Sequence, residues 1–121
     1  MATVRYLVND VEASIRFYVD MLGFEVVEQY GPAMAITRSG DLTLWLAGPL
    51  ASAARPMPDG VQPLPGGWNR FVVTTDGLDA LIEQLVASGA RFRNEVVTGP
   101  GGRQILVEDP SGNVVELFQP A

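Results

Sequence analysis

The sequence predicts an α+β fold made of two β-α-β-β-β modules, and three observations lead there. An amphipathic stretch opens at Asp10 and closes at Gly23, and a second opens at Asp76 and closes at Gly89, 66 residues further on. A short apolar strand precedes each stretch (residues 4–8 and 71–74) and another follows it (residues 24–27 and 91–97). The capping chemistry also matches. Asp accepts from orphan amides at a helix start, and Gly at the C′ position takes the left-handed conformation that ends a helix. Each half-domain needs a partner to cover an apolar sheet face, and the space between their sheets is where a ligand would sit.

Residues 3–9 alternate, with Val4, Tyr6 and Val8 on one face and Thr3, Arg5 and Leu7 on the other, the period of a strand. Residues 11–22 follow as a helix, with Val11, Ile15, Tyr18 and Leu22 at helical spacing. At least one of Phe17 and Tyr18 is expected on the sheet, and Glu12, Arg16 and Asp20 are expected to form a solvated face with i,i+4 pairing. Residues 24–30, 33–38 and 41–47 read as strands, separated by Gly31-Pro32 and by a Ser39-Gly40 hairpin turn. Residues 49–67 hold five prolines and four glycines or serines without periodicity, and so form a crossing linker. Its Met57, Val61 and Leu64 are expected to fold over a neighbouring surface.

The second half repeats the order. Residues 68–75 form a strand, and the next helix carries Leu78, Leu81, Ile82 and Leu85 on one stripe. Strands 91–97, 103–108 and 113–118 are joined by Gly99-Pro100-Gly101-Gly102 and by Asp109-Pro110-Ser111-Gly112-Asn113. The glycine-rich turn lacks the strand-to-helix setting and the Lys-Ser/Thr of a phosphate loop, so it is read as a hairpin turn. One domain is expected over residues 1–121, with module one at 1–48, the linker at 49–67 and module two at 68–121.

Eight basic residues against 14 acidic ones give a net charge of −6. That disfavours nucleic acid, whose phosphates demand basic contacts, and suits either solubility or a cationic small molecule. With no histidine and no cysteine there is no imidazole base, no thiolate nucleophile, and no nitrogen or sulfur ligand for a transition metal. No run reaches the roughly 20 apolar residues of a membrane span, no secretory signal opens the chain, and the cytoplasm is the expected location.

The run Val8-Asn9-Asp10-Val11-Glu12-Ala13-Ser14-Ile15-Arg16-Phe17-Tyr18-Val19-Asp20-Met21-Leu22-Gly23-Phe24 and the run Glu108-Asp109-Pro110-Ser111-Gly112-Asn113-Val114-Val115-Glu116-Leu117 resemble the vicinal oxygen chelate superfamily. Its members include glyoxalase I, extradiol dioxygenases, fosfomycin-resistance enzymes and bleomycin- or mitomycin-binding proteins. The first run looks like the family's helix ending in "FY…LGF", the second like its closing "DPxGNxxEL" hairpin. The resemblance implies two modules whose sheets curl into a cup, usually completed by a second subunit, so a homodimer is expected. In the family's enzymes the cup holds a divalent metal. Carried over residue by residue, the metal positions fall on Thr3, Trp45, Arg70 and Glu116. One carboxylate beside a guanidinium cannot hold a divalent cation against water, so no metal and no cofactor is expected.

Arg70 and Glu116 instead read as charge partners, with a bidentate pairing available. Glu116 shares its strand face with Val114 and Phe118, where an acid among apolar neighbours is either a general acid or base or half of a structural salt bridge. Arg70 is either that partner, a ligand anchor or an oxyanion stabiliser. Trp45, which shares a face with Thr43, and Trp68 are the aromatics expected to line the cup, while Tyr6 and Phe71 are expected in the core. The leading expectation is a metal-independent small-molecule binding protein holding an aromatic or cationic ligand among Thr3, Thr43, Trp45, Trp68, Arg70, Glu116 and Phe118. The alternative is a metal-free lyase, isomerase or cyclase, with Glu116 moving a proton and Arg70 stabilising the oxyanion. A partner-binding module using the linker is a third reading.

Overall fold

In the computed structural model, which describes residues 2–121, two mixed sheets follow one another along the chain, one from each module. The first module runs β1 (Ala2–Leu7), helix α1 (Val11–Ile15, continued by a π-helical segment at Arg16–Met21), β2 (Glu25–Tyr30), β3 (Met34–Ser39) and β4 (Leu42–Ala47). Its sheet has the order β1-β4-β3-β2, with β1 and β4 parallel and the other pairs antiparallel. The second module runs β5 (Phe71–Thr74), α2 (Leu78–Ala87), β6 (Arg91–Phe92), β7 (Val97–Gly99), β8 (Gly102–Glu108) and β9 (Val114–Pro120). Its order is β5-β9-β8-β6, with β7 also on β8 and β5 parallel to β9. The internal repeat is therefore topological, down to which strands pair in parallel.

The first helix start behaves as its sequence dictates. The Asp10 carboxylate accepts from the Ala13 amide at 3.0 Å, satisfying an orphan donor. Both helices end at glycines with positive φ, Gly23 at 76° and Gly89 at 85°. The second start differs from expectation. Gly77, not Asp76, is the N-cap of α2 and contributes no side-chain cap; the Leu78 amide instead donates to Gln119 Oε1 on β9 at 2.9 Å. A residue 41 positions away thus does the work expected of Asp76.

Three further departures have local causes. The helix expected over residues 11–22 turns π-helical at Arg16–Met21, and Phe17 and Tyr18, of which at least one is expected inside, are both buried there. The strand expected over residues 91–97 is broken into β6 and β7, and the Asn94 side chain takes the Leu106 amide at 2.9 Å in place of a ladder bond. Glu12 does not pair with Arg16 but accepts from Gln29 on β2 at 2.6 Å.

The core lies between the helix-bearing faces. Tyr6, Tyr18, Phe24 and Phe71 form a continuous aromatic cluster across the two modules, with Tyr6 and Phe71 centroids 5.1 Å apart. Within the linker, Met57, Val61 and Leu64 remain exposed. They do not fold over a surface of this chain as expected, because the segment closes on itself: the Met57 amide donates to the Val61 carbonyl and Gln62 Nε2 to the Ala54 carbonyl.

Candidate functional site

Strand alternation leaves one face of the first sheet without a helix above it. The register places Thr3 opposite Thr43, Arg5 opposite Trp45, and Trp45 opposite Ile36, so these side chains share that open face. Above them lies an open cavity of about 490 Å³. Its floor comes from Arg5, Met34, Ile36 and Trp45, its far edge from Tyr30 on β2, and its roof from the start of the linker, Leu50 to Ser52. The volume falls within the range that holds drug-sized ligands, and the lining is apolar and aromatic with few polar groups, as in most small-molecule sites. The Arg5 guanidinium lies over the Trp45 ring, 4.8 Å from its centroid. At the far edge the Glu28 carboxylate raises the pKa of Tyr30, so that phenol stays neutral at physiological pH.

Of the side chains expected at the site, Trp45 alone lines this cavity. Thr3 and Thr43 are on the same face but outside the lining. Arg70 and Glu116 do come together: Arg70 Nε donates to Glu116 Oε1 at 3.1 Å and Nη2 lies 3.0 Å from the same oxygen. Both contacts fall on one carboxylate oxygen, in place of the two-oxygen pairing expected. The pair stands on the second sheet, where Glu116 is opposite Val72 and Leu106 and shares its strand face with Phe118. Trp68 sits at the end of the linker, 66% exposed, with Arg93 stacked 4.5 Å from its ring centroid. Arg93 also donates to Glu108 and to the carbonyls of Gly67 and Gly112, which fixes Trp68 outside the cavity.

Sequence reasoning missed Arg5, Tyr30, Met34, Ile36 and Leu50 as lining residues. For Arg5 the signal was present, since alternation already set it beside Thr3 on the face away from Val4 and Tyr6. Leu50 was hidden in a segment without periodicity.

A second polar centre joins the modules. The buried Asp109 carboxylate accepts from Tyr18 Oη at 2.8 Å, from the amides of Ser111 and Asn113 at 2.9 Å each, and from Asn113 Nδ2 at 3.1 Å. Asn113 in turn donates to the Leu7 carbonyl and accepts from the Gly66 amide. Desolvation raises the pKa of Asp109, and its hydrogen bonds from Tyr18 and Asn113 oppose that shift. Tyr18 is raised well above the ordinary phenol, by burial first and by Asp109 second. Tyr6, whose hydroxyl donates to the Val114 carbonyl at 2.7 Å, is pushed up to about 12, chiefly by burial.

A model of the Glyoxalase/Bleomycin resistance protein/Dioxygenase superfamily matches residues 1–117. The chain belongs to that superfamily. Solved structures of the same fold include an antibiotic binding protein from Streptomyces sp. CB03234, 28% identical, covering 98% of this chain and 93% of that one with a TM-score of 0.73. A superfamily member from Sphaerobacter thermophilus DSM 20745 is 27% identical over 98% of this chain and 95% of that one, with a TM-score of 0.76. A genomically encoded fosfomycin resistance protein from Listeria monocytogenes is 14% identical over 100% and 93%, with a TM-score of 0.75, and shares the fold. No curated protein matched the chain.

Many enzymes of the superfamily carry a divalent metal, and the residues here do not fit one. Thr3, Trp45, Arg70 and Glu116 include a single carboxylate, and Arg70 already occupies it. Among the described residues no group of three or more His, Cys, Asp or Glu side chains converges. A hard cation needs several oxygen donors, which this set does not supply.

Proposed function

We propose that the chain is a metal-independent small-molecule binding protein that holds a planar aromatic ligand in the cavity over the first sheet. The observation that carries this reading is the lining itself: Trp45, Tyr30, Met34, Ile36 and Leu50 surround about 490 Å³, and no carboxylate lies among them. Flat aromatic walls supply contact area and stacking for planar ligands. The 28% identical relative described as an antibiotic binding protein supports the same reading. Glu116 lies outside the lining, and its pairing with Arg70 favours a structural role over proton transfer. No helix among the described residues is long and apolar enough to cross a membrane.

The reading extends to a homodimer. The cavity is walled by one sheet and a linker segment, and Val26, Val27 and Tyr30 on β2 and Val72 on β5 are exposed. A second copy covering such surface would close the cup and remove apolar area from water. Light scattering is expected to give twice the 13.0 kDa chain mass. For ligand binding, the test is tryptophan fluorescence against a panel of planar antibiotics, with the protein stripped by chelator. Saturable quenching that survives chelation supports the proposal. Absence of any binder, or binding that needs an added divalent ion, contradicts it.

A further inference from the structure

The charge at the cavity selects the ligand's chemical class. All eight basic residues of the chain are arginines. Arg70, Arg91, Arg93 and Arg103 each pair with a carboxylate. Arg5 makes no ion pair among the described residues, and it is the one charged residue in the lining. Arg38, on the same open face, stands opposite Glu25 in the β2–β3 register and is outside the lining. Glu28 lies beside the Tyr30 hydroxyl on β2. In the order β1-β4-β3-β2 that is three strand steps from Arg5, about 14 Å at ~4.8 Å per step.

Resting on the small-molecule reading above, we propose that this cavity takes a planar aromatic anion, its acidic head on the Arg5 guanidinium at the β1 edge and its ring system across Trp45 and Ile36 toward Tyr30. The Arg5 guanidinium, over the Trp45 ring and without an ion pair among the described residues, has N–H donors to fork onto a carboxylate or sulfonate. A cationic ligand meets the opposite situation, since the lining offers it one positive charge and no carboxylate. A neutral ligand covers a guanidinium with nothing to compensate its lost water. On this face Glu25 and Glu28 stand at the β2 edge, opposite Arg38 and Ile36 in the register, so the charge within the lining itself is that of Arg5.

The test is calorimetry with three probes of one shape: 2-naphthoate, its methyl ester and 2-naphthylmethylammonium. The wild-type chain is expected to bind the carboxylate about tenfold tighter than the ester, as a charge-assisted hydrogen bond allows, and to bind the ammonium weakest. Arg5→Gln, an exposed position, should erase the preference, bringing the carboxylate and the ester to within about twofold of one another. Arg91→Gln, which removes the same charge far from the lining, should retain it. The proposal is overturned if the ester or ammonium equals the carboxylate in the wild type, or if the preference survives Arg5→Gln. If none of the three binds, the small-molecule reading itself fails, an outcome distinct from loss of charge selectivity.

Discussion

Tyr18→Phe isolates the junction between the modules. The substitution keeps the buried ring and its contacts with Phe17, Phe24 and Phe71, and removes only the hydroxyl that donates to Asp109. Asp109 keeps three of its four donors, two amides and Asn113 Nδ2, so the loss is one charge-assisted hydrogen bond inside a buried site, about 2 kcal/mol at pH 8. The pH dependence separates this account from simple loss of packing. Asp109 has its folded pKa raised above the ordinary 3.8, so the stability it contributes is present at low pH and lost as pH rises through the folded value. Removing the Tyr18 donor raises that value further, because the donor favours the ionised form. The penalty is therefore full where the carboxylate is ionised and shrinks, to about 1 kcal/mol, once the acid is protonated and the lost bond is a neutral one. Urea unfolding at pH 8 and near pH 4, with the slope unchanged between proteins, gives both numbers. A penalty equal at the two pH values, or below about 0.5 kcal/mol at pH 8, would refute the reasoning.

Other perturbations should behave as follows. Glu116→Gln breaks an ion pair whose side chains are 30% and 13% exposed, so urea unfolding should show a cost of about 1 kcal/mol or less, and calorimetry should show unchanged ligand affinity. Gly102→Ala places a Cβ against the Gln119 carbonyl at a φ of +145°, and should cost more than about 2 kcal/mol, whereas Gly101→Ala, with open space around it, should cost under about 1 kcal/mol. Arg93→Ala releases the Gly67 and Gly112 carbonyls together, so limited proteolysis should cut the 49–67 segment faster while the unfolding midpoint moves little.

Much of the fold was legible because its signals are local. Alternation over residues 3–8 separated Val4, Tyr6 and Val8 from Thr3, Arg5 and Leu7, and burial follows that division except at Leu7, which is half-buried like Val4 and Tyr6. Gly23 and Gly89 marked both helix ends. What escaped depends on partners far away in sequence. Gln119 replaces Asp76 at the start of α2 from across the second sheet, and no local pattern announces it. Asn94 intercepts a ladder amide and splits a strand whose composition reads as continuous. Tyr18 and Asp109, 91 residues apart, were visible only as a helix residue and a turn residue. The site was less legible than the fold. Of the metal positions read onto Thr3, Trp45, Arg70 and Glu116, the last two form a salt bridge on the second sheet, while the candidate cavity lies over the first, beside Trp45 and around Arg5, which makes no ion pair among the described residues.

Amide chemical-shift mapping tests the central claim most directly: a labelled sample is titrated with 2-naphthoate in the presence of chelator. Saturable shifts are expected to cluster at Arg5, Tyr30, Met34, Ile36 and Trp45. Shifts confined to Arg70, Glu116 and Phe118, or shifts that arise only after a divalent ion is added, would contradict a metal-independent site over the first sheet.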